Sequence, residues 1–115
     1  MTSLVYKICD ARVWREAERI GQFTGSGVDL ADGFIHLSAA DQVAETARKH
    51  FFGQRDLVLV AVVADKLEPA LKWEVSRGGA LFPHLYGPLP TAAVRWVKPL
   101  PLDSDGRLQL PDLAR

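Results

Sequence analysis

Apolar and polar positions recur along this chain with two periods, and the switches between them mark its elements. LVYKIC, residues 4–9, is rich in β-formers and reads as a strand, with Asp10 behind it suited to cap a helix. In the segment that follows, Val13, Ala17 and Ile20 recur at helical spacing with Trp14 beside them, while Arg12, Arg15, Glu16, Glu18 and Arg19 supply a polar face. Gly21 stops that helix. QFTGSGVDLADG, residues 22–33, has three glycines and two aspartates but no period, so it reads as a surface loop, long enough to border a site.

Period two returns in GFIHL, residues 33–37, which places Ile35 and Leu37 on one face of a strand and Phe34 and His36 on the other. Ser38 and Asp41 form an S-x-x-D variant of the capping box, opening a helix with Val43, Ala47 and Phe51 as its buried stripe and Gly53 as its end. DLVLVAVVA, residues 56–64, is nearly continuous aliphatic, as expected of a strand covered on both faces at the centre of a sheet. In LKWEVS, alternation sends Leu71, Trp73 and Val75 to one face and Lys72, Glu74 and Ser76 to the other. RGGALFPHLYGPLP, residues 77–90, reads as a second irregular segment, made rigid by Pro83, Gly87 and Pro88, with Phe82 as its core anchor and His84 partly exposed. TAAVRWVKPL is a last strand limited by Pro99, and the tail carries an S-D-G turn and a short hairpin. The pattern gives two main helices among strands, without repeat, low-complexity tract or linker.

Composition narrows what such a fold does. A chain of 115 residues, 48% hydrophobic and 24% charged, predicts a single domain over 1–115. Fourteen basic and fourteen acidic residues cancel, so no global field draws in nucleic acid or an anionic membrane, and any phosphate site must be local. Cys9 is the only cysteine, which excludes an intramolecular disulfide and fits a small buried hydrophobe. The start lacks a basic segment followed by an apolar stretch, and no apolar run approaches the roughly 18 residues that span a bilayer. A soluble, cytoplasmic protein is expected.

Three features place polar groups in apolar settings: His36 in GFIHLS, Glu74 in LKWEVS, and His84 with Tyr86 in FPHLYG. Imidazole near its ordinary range donates, accepts or binds metal, and a phenol adds a donor, so His36, His84 and Tyr86 are the candidate catalytic groups. Phe34, Ser38 and Glu74 are the candidate ligand contacts. Each also has a structural explanation, as a satisfied core histidine, a helix cap or a solvated carboxylate. There is no phosphate loop, G-x-S-x-G elbow, H-E-x-x-H or cysteine cluster. His36, His84 and Glu74 have the composition of a two-histidine, one-carboxylate set, but nothing local fixes their geometry, and no metal site is expected.

YKICDARVW, DGFIHLSAADQ, the FFG-x-x-DLVLV run, LKWE and above all FPHLYGPLP resemble the small bacterial family called domain of unknown function 952, over about residues 4–100. The resemblance implies an α+β fold with a split, curved β-core similar to the ADP-ribosyltransferase superfamily and the RNA 2'-phosphotransferases. In such enzymes a polar residue on an early core strand contacts the nicotinamide-side ribose of NAD; His36 occupies that place, and Ser38 adds a second contact. The glutamate that orients the nucleophile there has no counterpart, since neither Glu74 nor anything in FPHLYG lies in a recognisable form of that motif. The residues themselves name no cofactor; NAD is the one that the resemblance implies. The readings are a nucleotide- or NAD-related transferase with a two-histidine pocket, a non-catalytic module binding a nucleotide-like small molecule, or a structural protein with core histidines.

Overall fold

The computed structural model describes residues 3–113. Strand β1 (Leu4–Asp10) runs into helix α1 (Ala11–Ile20), and Asp10 Oδ1 accepts the backbone N–H groups of Arg12 and Val13 at 2.8 and 3.2 Å, as a cap should. Gly21 ends the helix at φ 99°, donating its N–H to Ala17. The buried face is Trp14 and Ala17, however, and Val13 and Ile20 are exposed. The bulkiest side chain of the first two turns decides which way the helix rolls.

The long loop expected over residues 22–33 is structured. It forms a short strand β2 (Gln22–Phe23) and a one-turn helix α2 (Val28–Asp32), bringing the helices to three where the pattern gave two. Strand β3 is two residues, Ile35–His36, and keeps the expected parity: Ile35 and Leu37 are buried, and His36 is half-buried. Ser38 does not cap a helix. Helix α3 (Val43–His50) starts five residues later, because Ser38 is held by long-range pairing: it exchanges both backbone bonds with Tyr6 at 2.8 Å. The helix likewise ends at His50, three residues before Gly53, whose N–H goes instead to Gly106 in the C-terminal turn.

Strand β4 (Leu57–Val63) lies between β1 and β8 (Val94–Leu100) in an antiparallel sheet and is covered on both faces. Val60 and Val62 pack with Trp14 and Ala17 of α1, while Leu57, Leu59 and Ala61 pack with Val43 and Ala47 of α3. Each buried Val or Leu among them contributes about 1.5–3 kcal/mol. A second sheet has the order β3-β6-β5, where β5 is Leu71–Val75 and β6 is Leu81–Leu85. The segment FPHLYG, expected to be irregular, thus supplies a central strand. Pro83 is tolerated there because its backbone faces the end of β3, where its carbonyl takes the Leu37 N–H at 3.1 Å. Strand β7 (Leu89–Pro90) pairs with β2, and the tail closes on one Leu102–Leu108 bridge. The fold is therefore a mixed α/β one with three helices and several antiparallel sheets. Among the described residues no helix is long and apolar enough to cross a membrane.

Candidate functional site

One face of the β3-β6-β5 sheet collects the polar groups singled out in the sequence. Register sets His36 opposite His84 and His84 opposite Lys72, with Phe82 opposite Glu74. Alternation along the chain adds Phe34 and Tyr86 to the same face. The other face carries Ile35, Leu85 and Leu71 into the core.

Phe34 is the centre of this arrangement. Its ring stacks on His84 at 4.2 Å and meets His36 at 4.6 Å and Tyr86 at 5.2 Å. His84 is 6% exposed, whereas Phe82 is only half-buried, which reverses the expected assignment of anchor and free group. Both side chains lie on the same face of β6, and His84 is the one covered by the Phe34 ring and set against Glu74. Glu74 Oε1 accepts from Tyr86 Oη–H at 2.8 Å and lies 2.8 Å from His84 Nδ1. Those two donors hold the Glu74 carboxyl below its usual range, and the same carboxylate pushes the Tyr86 phenol up.

The second histidine is tied to a part of the chain the sequence left blank. Asp29, on α2, is buried, and its Oδ1 takes the His36 backbone N–H at 3.0 Å and lies 2.7 Å from His36 Nδ1. Lys7 Nζ reaches both Asp29 oxygens, at 3.1 and 2.9 Å. Burial alone would raise the Asp29 carboxyl, but the Lys7 ammonium and these hydrogen bonds outweigh it and hold it below the ordinary range. Asp32, also on α2, meets His36 Nε2 at 2.9 Å. Lys7, Asp29 and Asp32 are the site residues that sequence reasoning missed. Lys7 carried a signal, as the lone charge on the inward face of an apolar strand, which requires a partner. Asp29 and Asp32 carried none, since their loop has no period.

A cavity of about 450 Å³ opens beside this face. His36, His84, Phe34 and Ser38 line it, together with Lys7 and Asp32; Tyr86 does not, and with Glu74 it supports His84 from the far side. Ser38 is buried, and its hydroxyl donates to Thr46 Oγ1 at 3.3 Å. Both nitrogens of His36 are engaged by carboxylates, while His84 has only Nδ1 engaged among the described residues. No group of three His, Cys, Asp or Glu side chains among the described residues is placed to hold a metal. Cys9 is buried away from the cavity, and burial pushes its thiol up to about 11.

Residues 8–97 match the model of a family described as protein of unknown function, DUF952. The chain is also similar to protein CC0527 of Caulobacter crescentus. The crystal structure of CC0527 superposes with a TM-score of 0.90 at 56% identity, over 94% of this chain and 95% of that one. Its solution NMR structure gives 0.84 at 57% identity, over 93% and 92%. No curated protein matches the chain.

Proposed function

The chain belongs to the DUF952 family of proteins of unknown function, and from that footing we propose that its cavity is an active site in which His84 moves a proton on a small, nucleotide-like ligand. The observation that carries this reading is the asymmetry of the His84 ring. Nδ1 is fixed by Glu74, so in the neutral ring Nδ1–H donates to the carboxylate and the lone pair stands on Nε2. That nitrogen takes the proton of an attacking hydroxyl and returns it to a leaving group, while Glu74 stabilises the imidazolium formed in between. Tyr86 orients Glu74, and Phe34, stacked on the imidazole, sets the ring's rotation.

His36 does not share that role. With a carboxylate on each nitrogen it is a positioning residue, fastening α2 to β3 at the cavity wall. The volume of about 450 Å³ lies within the range of small-molecule sites, and Phe34 and Phe82 offer aromatic surface for a base. With an ADP-ribosyltransferase-like fold the ligand is NAD or a part of it; nicotinamide then leaves as the neutral base with the electron pair of the glycosidic bond and needs no proton, so His84 serves there only as the base that takes the proton of the attacking hydroxyl. Calorimetry with NAD, ADP-ribose and nicotinamide, alongside an assay for nicotinamide release, tests the reading. Binding and release are expected in the native chain, with affinity reduced about tenfold or more in His84→Ala and release abolished. Binding without release would assign a non-catalytic module. No binding of any of the three at millimolar concentration would refute the nucleotide class.

A further inference from the structure

Strand β5 forms the outer edge of its sheet. Tyr86 N–H donates to the Ala70 carbonyl and Ser76 N–H to the Ala80 carbonyl, both at 2.9 Å, so residues of that parity, Lys72 and Glu74 among them, turn their backbone groups toward β6. Leu71, Trp73 and Val75 therefore turn theirs outward. Their side chains continue the core face into water: Trp73 is 46% exposed, Val75 69%, and Leu81, opposite Val75, 52%.

LKWEV is complementary to itself when laid antiparallel about Trp73. Leu71 then faces the partner's Val75 on the apolar side, and Lys72 faces the partner's Glu74 on the polar side. The charged pair falls where the new ladder has no hydrogen bonds, the position at which opposed side chains lie closest. An open edge with apolar flanks is a template for pairing, and a lysine in its middle ordinarily guards it. Here Glu74, two residues away, cancels that guard toward a second copy of the same chain and toward few other sequences.

We propose that β5 pairs with β5 of a second copy, and that the partner's Lys72 contacts Glu74, the carboxylate that holds His84. Among the described residues no group donates to Glu74 Oε2, which is the oxygen available to that ammonium. A pairing of two five-residue strands is small, so the dimer is weak and its population follows concentration. The proposal does not depend on the ligand or chemistry of the cavity, and its test uses neither.

Sedimentation velocity over a concentration series, with amide hydrogen exchange on the same unmodified samples, tests it. A monomer–dimer equilibrium is expected, with Trp73 and Val75 amides gaining protection as concentration rises and β4 amides unchanged. Lys72→Glu and Glu74→Lys should each weaken the dimer about tenfold or more, and mixing the two variants should restore it, since opposite charges then meet at both crossed positions. Val75→Lys, remote from His84, should weaken it likewise and stands in if Glu74→Lys fails to fold. A monomer at every concentration, with Trp73 and Val75 exchange unchanged, overturns the proposal, as does a dimer indifferent to Lys72→Glu.

Discussion

Replacing Asp29 by alanine isolates the energetics of the buried network beneath the cavity. The Lys7 and Asp29 side chains are 9% and 1% exposed, and Asp29 also accepts the backbone N–H groups of His36 and Ser26. Asp29→Ala leaves the Lys7 ammonium on the apolar face of β1 without its counter-ion. Breaking a buried pair from one side costs about 3–5 kcal/mol, against a total stability of roughly 5–15 kcal/mol. The melting temperature should fall by about 12–20 °C. Lys7→Met is milder, at about 1–3 kcal/mol, because Asp29 keeps its N–H donors and the methionine fills the lysine's volume. The double variant should cost less than the sum by about 1–3 kcal/mol, since it removes both charges. Urea denaturation with a constant m-value measures all four states. Additive costs, or an Asp29→Ala loss below about 1 kcal/mol, would refute the reasoning. The pH dependence has a definite sign. The Asp29 carboxyl is depressed in the folded chain, so its contribution is complete above its ordinary value of about 3.9 and is lost as pH falls through the folded value. The gap between native chain and Asp29→Ala should therefore narrow below about pH 4.

Leu59→Ala, at a fully buried position of β4, should cost about 2–5 kcal/mol by urea denaturation, and a loss under about 1 kcal/mol would contradict the two-faced burial of that strand. His84→Ala should destabilise by about 1–3 kcal/mol, at least as much as Phe82→Ala, because the buried imidazole is stacked and hydrogen-bonded while Phe82 is half in water. The opposite order in chemical denaturation would restore Phe82 as the anchor. Cys9 should react with a water-soluble disulfide reagent only on unfolding, its thiol being buried and raised to about 11; rapid labelling of the native chain would show β1 opening.

What was legible in the sequence depended on whether a signal was local. Strand β4 follows from its continuous aliphatic run and the opposition of Ile35 to His36 from side-chain alternation, and both are seen. Ser38 shows the limit: its preference for a cap is worth about a kilocalorie per mole, and two backbone bonds to Tyr6, distant in sequence, override it. FPHLYG failed differently. Proline and glycine are general signs of irregular chain, and only knowledge of which neighbour Pro83 faces makes it a strand residue. The grouping of Phe34, His36, Glu74, His84 and Tyr86 needs the register of three strands, which alternation within each strand cannot supply. Asp29 was hidden because a buried carboxylate in a glycine-rich stretch looks like any surface loop until Lys7, 22 residues earlier, is placed above it.

A prolyl nitrogen has no hydrogen to give, so Leu37 donates its N–H to the Pro83 carbonyl and receives nothing from Pro83 in return. The ladder between β3 and β6 ends there, and the chain turns aside to the other sheet, where Ser38 joins Tyr6. Tyr6, Leu37, Ser38 and His84 all border the cavity, which thus lies in a fork of the backbone and is not merely a hollow among side chains. Substitutions along its walls will reshape it, while the fork itself is set by backbone pairing that those side chains do not make.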